Sequence, residues 1–252
     1  MTVVQYFSVE EAKPLKGLRV AFTKGLPNPW SLAARAIIEY KNIPYISVAQ
    51  VPGEENEALR EWTGQRSAPV AMFDDERPRP SWFEIVLLAE RLAPEPSLIP
   101  SDPEERVEMF GVCHEIASED GLGWATRALY WMQPDSQGEH SNLKLYYSSN
   151  ETPQHARRRV NDVIKMLAGR LKRQAERGSG YLVGDRVSAA DFYWATHCNF
   201  FMPMSNDVCQ MPEFYREGAK LALTYLDGPL ADILIEHRDR IVSECFKTPI
   251  GY

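Results

Sequence analysis

Short apolar runs and helix-period stretches alternate through the N-terminal part of the chain. Leu18–Thr23 (LRVAFT) is a brief run rich in β-formers, the signal of a buried strand. From Pro29 to about Lys41 the apolar positions Leu32, Ala33, Ala36, Ile37 and Tyr40 fall on one face of a helix. Tyr45–Val51 reads as the next strand. Gly53–Gly64 reads as a helix with acids in its first turn and a glycine stop. Pro69–Asp75 is a third strand, and the turn-rich DDERPRP after it leaves room for a short edge strand. Ser81–Pro94 (SWFEIVLLAERLAP) is a helix with Ser81 as N-cap and Pro94 past its end. This order predicts a small α/β layer whose first βαβ unit is right-handed with parallel strands.

After a proline-rich linker, PEPSLIPSDPEE, the strand signal largely stops. Glu105–Met132 has a helical pattern interrupted near GLGW, and Gln133–Asn142 reads as a loop. Thr152–Gly178 begins with a Thr cap and a proline at the first helical position. Its apolar stripe is Val160, Val163, Ile164, Leu167 and Leu171. Ser188–Phe201 and Tyr225–Phe246 complete an all-helical half. The expected division is an N-terminal extension at 1–17, an α/β domain at 18–94, a linker at 95–104 and a helical domain at 105–252.

Composition narrows the function. The chain has 252 residues and a net charge of −7. An acidic chain without a basic patch argues against nucleic acid and against an anionic membrane surface. No apolar run approaches the ~20 residues that span a bilayer, and the N-terminus lacks a secretory pattern. The four cysteines form no C-x-x-C pair. They read as reduced thiols of a cytoplasmic protein, and the scattered histidines predict no metal site.

Two motifs carry more specific information. In YLVGDRVSAADF (Tyr181–Phe192), Ser188 and Asp191 have the spacing of a capping box, which is a structural device. The string resembles the helical domain of glutathione transferases, where a buried helix starts with Ser/Thr-x-x-Asp after a similar turn. NPWSLAARAIIEYKNIPY (Asn28–Tyr45) resembles the same family's S-P-F-x-x-x-V-R-x-A-L-x-x-x-G-I-P-Y, with Pro29, Trp30, Arg35 and Ile43-Pro44-Tyr45 in register. RSAPVAMFDD resembles its V-P-V-L strand. The resemblance covers about Leu18 to Phe201. It implies a thioredoxin-like α/β domain followed by an all-α domain, glutathione as co-substrate, and a homodimer.

Residue by residue, the resemblance puts Asn28 where the family has Ser, Tyr or Cys contacting the glutathione thiol. Members similar to the nu class use Asn there, and Ser31 is the second candidate. Asn28 also suits a plain helix cap. Pro29 and Trp30 adjoin it. Pro69 takes the place of a cis proline, and Ala68 that of the residue whose backbone meets the cysteinyl part of glutathione. The Glu/Gln-Ser pair that binds the γ-glutamyl end is altered. One register puts Ser81 and Trp82 in its place, another puts Glu84 and Ile85 there, and neither keeps both polar groups. Trp124, Tyr130 and Trp131 are candidates for a second, hydrophobic substrate, with core packing as the competing role. Arg127 suits an anionic substrate or a surface salt bridge. The expected activity is attack of the glutathione thiolate on a small hydrophobic electrophile, a disulfide or a peroxide. A non-catalytic binding protein of the same fold is the alternative.

Overall fold

The computed structural model describes residues 4–131 and 152–252, with Trp131 described by its backbone alone. The loop expected at Gln133–Asn142 lies outside them. β1 (Leu18–Thr23) is the centre of a three-stranded sheet of order β2-β1-β3. β2 (Tyr45–Gln50) runs parallel to it with Leu18 opposite Tyr45, and β3 (Val70–Phe73) runs antiparallel with Leu18 opposite Phe73. All of β1 is buried because both sheet faces are covered. Leu18, Val20 and Phe22 join the main core with α2 (Pro29–Tyr40) and α4 (Trp82–Leu92). Ala21, Val70 and Met72 join a smaller core with α1 (Val9–Ala12) and with Leu59 of α3 (Glu57–Thr63). The one charge in β1, Arg19, is buried because its guanidinium donates to the carbonyls of Lys13, Leu15 and Asp74 and stacks on Trp62.

The N-terminal extension packs on the α/β layer: Phe7 forms a parallel bridge with Val48, and Val9 and Ala12 enter the smaller core. Two local readings change. The edge strand allowed after β3 reduces to one bridge between Ala71 and Arg79, because Pro78 and Pro80 on either side have no N–H for a ladder. α3 starts at Glu57 rather than Gly53. The Asn56 side chain holds the preceding loop through Val51 and Glu54, with its own φ at 48°.

The second half is helical: α5 (Pro103–Ala117), α6 (Leu122–Trp131), α7 (Pro153–Glu176), α8 (Ala189–His197), α9 (Glu213–Leu223) and α10 (Asp232–Cys245). The predicted interruption near GLGW is the α5–α6 break, where Asp120 turns to φ 58°. α7 has the predicted Thr152 cap, which accepts from the His155 N–H. α8 stops at His197 rather than Phe201 and tightens into a 3-10 turn, Cys198–Phe200. α10 begins later than predicted because Gly228 and Pro229 precede it. α9 has no counterpart in the sequence reading.

Every residue of α8 is buried, and α2 packs along it, so the main core runs unbroken from the sheet into the helical half. Asp191 fixes the start of α8. Its carboxylate accepts from the Ser188 N–H at 2.8 Å, the Ser188 hydroxyl at 3.0 Å and the Leu182 N–H at 2.8 Å, and His237 Nε2 lies 2.8 Å away. The capping box predicted from sequence is present, and the Ser188 hydroxyl adds a bond to the Asp191 carboxylate.

Candidate active site

The N-terminus of α2 opens on a cavity of about 510 Å³ between the two halves. Its α/β wall includes Thr23, Asn28, Trp30, Ser67, Ala68 and Pro69, and its helical wall includes Ser118, Trp124, Arg127 and Tyr215. Both walls are held by bonds across the halves. The Trp30 indole donates to the Ala117 carbonyl at 2.7 Å, the Trp82 indole to the Ser118 hydroxyl at 2.7 Å, and the Tyr215 hydroxyl to the Pro27 carbonyl at 3.1 Å.

Asn28 is the N-cap of α2. Its side-chain oxygen accepts from the Trp30 N–H at 3.0 Å and the Ser31 N–H at 3.4 Å. Pro29 has no N–H, and the Leu32 N–H bonds the Asn28 carbonyl. The first-turn donors of α2 are therefore already satisfied from within the chain. What remains at this helix end is the dipole and the Asn28 NH₂, which has no partner among the described residues and belongs to a side chain lining the cavity. Opposite it, the Ala68–Pro69 peptide is cis, as the resemblance implies. The Ala68 N–H and C=O carry no hydrogen bond among the described residues.

The other candidates divide. Ser81 and Trp82 line the cavity, but Ser81 donates its hydroxyl to Glu84 at 2.6 Å. Glu84 does not line it. Its second oxygen pairs with Arg77 at 2.6 Å, so the carboxylate is committed to the start of α4. Burial pushes the Glu84 carboxyl up, and the hydrogen bonds from Ser81 and Arg77 outweigh that and leave it below the usual range. Ser31 and Pro29 are buried behind the cavity wall. The Ser31 hydroxyl accepts from the Thr23 N–H at 3.1 Å and donates to the Thr23 hydroxyl at 3.3 Å. Tyr130 is also turned away, donating to the Phe200 carbonyl at 3.2 Å. The side chain of Trp131 lies outside the described residues.

Trp124 and Arg127 both line the cavity. The Arg127 guanidinium lies 4.7 Å from the Trp30 ring centre and 5.4 Å from that of Trp124. It has no hydrogen bond or ion pair among the described residues, so none of them supplies the surface salt bridge considered from sequence. Burial lowers its pKa, with Tyr215 and Tyr130 acting the other way. Burial also pushes the Tyr215 hydroxyl far up, which keeps it a neutral donor. Gly123 is required behind this wall: a Cβ there would sit 2.7 Å from the Trp30 ring and 2.9 Å from His197. Gln65 and Ser67 also line the cavity, and neither side chain has a partner among the described residues. Sequence reasoning passed over both, although they stand beside the predicted Ala68-Pro69 turn, the one signal that pointed to them.

The four cysteines are free, and none lines the cavity. Burial raises all of them, Cys198 and Cys209 to about 12 and Cys245 to about 11. Among the described residues, no three His, Cys, Asp or Glu side chains group as metal ligands, and no helix is long and apolar enough to cross a membrane.

A three-stranded layer opening through its first long helix onto a cavity walled by an all-helical half is the glutathione transferase fold. Residues 124–216 match the family described as Glutathione S-transferase, C-terminal domain. A glutathione S-transferase domain-containing protein from Marinobacter aquaeolei VT8 superposes with TM-score 0.65 at 18% identity, over 92% of this chain and 100% of that one. A glutathione S-transferase from Methylobacillus flagellatus KT with glutathione bound gives 0.65 at 13% identity, over 94% and 100%. The β-etherase of Sphingobium sp. strain SYK-6 gives 0.63 at 20% identity, over 92% and 96%. No curated protein sequence matches. The chain has the glutathione S-transferase fold, and its residues 124–216 match that family's C-terminal domain.

Proposed function

We propose that the protein is a glutathione-dependent transferase in which the Asn28 NH₂ holds the glutathione thiolate at the start of α2. One observation carries this reading. The Asn28 oxygen is spent on the helix cap, and the NH₂ is left at the cavity with no partner among the described residues. A free thiol has a pKa of about 8.5 and is mostly protonated at neutral pH. A hydrogen bond to the anion and the positive helix end both favour the thiolate. In this reading the Ala68 backbone pairs with the cysteinyl peptide unit, beside Pro69. Ser81, Trp82, Gln65 and Ser67 stand along the γ-glutamyl half. Trp30, Trp124 and Arg127 form the electrophile side. The sulfur then forms a bond to the electrophilic carbon, the leaving group departs with its electron pair, and the thiol proton passes to solvent. The chain supplies orientation and charge stabilisation, not a nucleophile of its own.

A non-catalytic binding role is the second reading. It is favoured by the mutual engagement of Ser81 and Glu84, which removes two polar groups from the γ-glutamyl end. Calorimetry with glutathione separates the two. Binding in the micromolar to millimolar range is expected, and no heat at millimolar glutathione overturns the transferase. We place the protein in the cytoplasm, on its free cysteines, and as a homodimer. The support for a dimer is the exposure of Phe83, Leu87 and Val107 on α4 and α5.

A further inference from the structure

Arg127 is a cation set in an aromatic wall, with no ion pair among the described residues. Trp30 and Trp124, with ring centres 5.1 Å apart, lie against its guanidinium. Stacking uses the faces of the guanidinium plane and leaves its edge N–H donors for a ligand. Its neighbours on the helical wall have their own obligations: the Trp30 indole is bonded to Ala117 and the Tyr215 hydroxyl to Pro27. His197 beneath it donates from Nδ1 to the Tyr193 carbonyl, and burial, with Arg127 nearby, lowers its pKa to about 3. It is neutral and adds no like charge beside Arg127. Glu119 also lines the cavity, but it is exposed and makes no ion pair with Arg127.

We propose that the electrophile side of this cavity selects aromatic substrates that carry a carboxylate or sulfonate. The anion is held by the edge of Arg127 and the ring lies against Trp30 and Trp124. This deepens the transferase reading and rests on it only for the position of the thiolate. The same chemistry could come from a carboxylate of glutathione itself, so the test separates the two sources.

The first measurement is calorimetric and needs no turnover: binding of a dinitrobenzoate and of its methyl ester to wild type, Arg127→Gln and Arg127→Lys, with and without glutathione. Wild type is expected to bind the acid about tenfold or more tighter than the ester. Arg127→Gln should erase that difference, and Arg127→Lys should keep part of it. Equal binding of acid and ester by wild type, or a preference that survives in Arg127→Gln, overturns the proposal. So does competition between the acid and glutathione combined with loss of glutathione affinity in Arg127→Gln, since the anion would then be glutathione's own. The second measurement compares turnover of a chlorodinitrobenzoate and of chlorodinitrobenzene, where sulfur displaces chloride with the C–Cl electron pair. Arg127→Gln should lower kcat/KM for the acid about tenfold more than for the neutral arene; an equal loss on both counts against the proposal. Selective binding of the acid by a protein that ignores glutathione would sink the transferase reading and leave the Arg127 site standing.

Discussion

Asn28 has two functional ends, and substitutions can separate them. Asn28→Asp keeps the oxygen that caps Trp30 and Ser31, so its stability to urea should stay within about 0.5 kcal/mol of wild type. It loses the NH₂ and adds a negative charge, so it should bind glutathione as the thiol. Asn28→Ala loses the cap as well and should cost about 1 kcal/mol. Equal stability loss in both variants would contradict the cap. Asp191 is a different case: a fully buried carboxylate with donors from Ser188 and Leu182 and a close contact to His237. Asp191→Ala leaves those groups unpaired in the core and should cost about 3–5 kcal/mol in urea unfolding. Asn28 and the Ser188–Asp191 box were legible in sequence because caps are local: they depend on residues within one turn. The commitment of Glu84 to Ser81 and Arg77 was not, since PSWFEI matches the Glu/Gln-Ser pair in two registers and neither says what Glu84 pairs with.

α6 is where local pattern and tertiary packing part company. Its break from α5 shows in GLGW, but the reason for Gly123 is the Trp30 ring, which arrives from the other half of the chain. Gly123→Ala should therefore push Trp30 and His197 aside, cost about 1–3 kcal/mol and weaken aromatic substrates more than glutathione. Paired urea unfolding and KM measurements check it. The same distance in sequence hid the state of Arg127: nothing near it says whether an acid packs beside it. It also hid the inward turn of Tyr130, because an aromatic on a helix reads the same whether it packs on Phe200 or faces a cavity. α8 makes a pH prediction. His197 is neutral in the fold, with its pKa lowered to about 3 by burial, against 6.5 when unfolded. Below 6.5 the unfolded chain takes up a proton that the fold refuses, so stability falls as pH drops from about 6.5 towards 3. Acid unfolding of His197→Leu compared with wild type should show a shallower loss over that range.

For the molecule as a whole, the two-half architecture follows from the change in periodicity after the proline-rich linker, and that change is visible in sequence. The continuity of the core across the linker is not, because α8 is buried on all sides and its partners are set only by folding. The exposed Phe83, Leu87 and Val107 lie on α4 and α5. Sedimentation should give a dimer for wild type and a monomer for Leu87→Glu with Val107→Glu; a wild-type monomer contradicts the assembly.

The most direct test of the account is the ultraviolet titration of the thiol of bound glutathione. Wild type should show a thiol pKa well below the free value of about 8.5. Asn28→Ala should raise it by about one unit or more, the worth of one hydrogen bond to a charged group. An unchanged pKa in Asn28→Ala would remove the Asn28 amide from the chemistry.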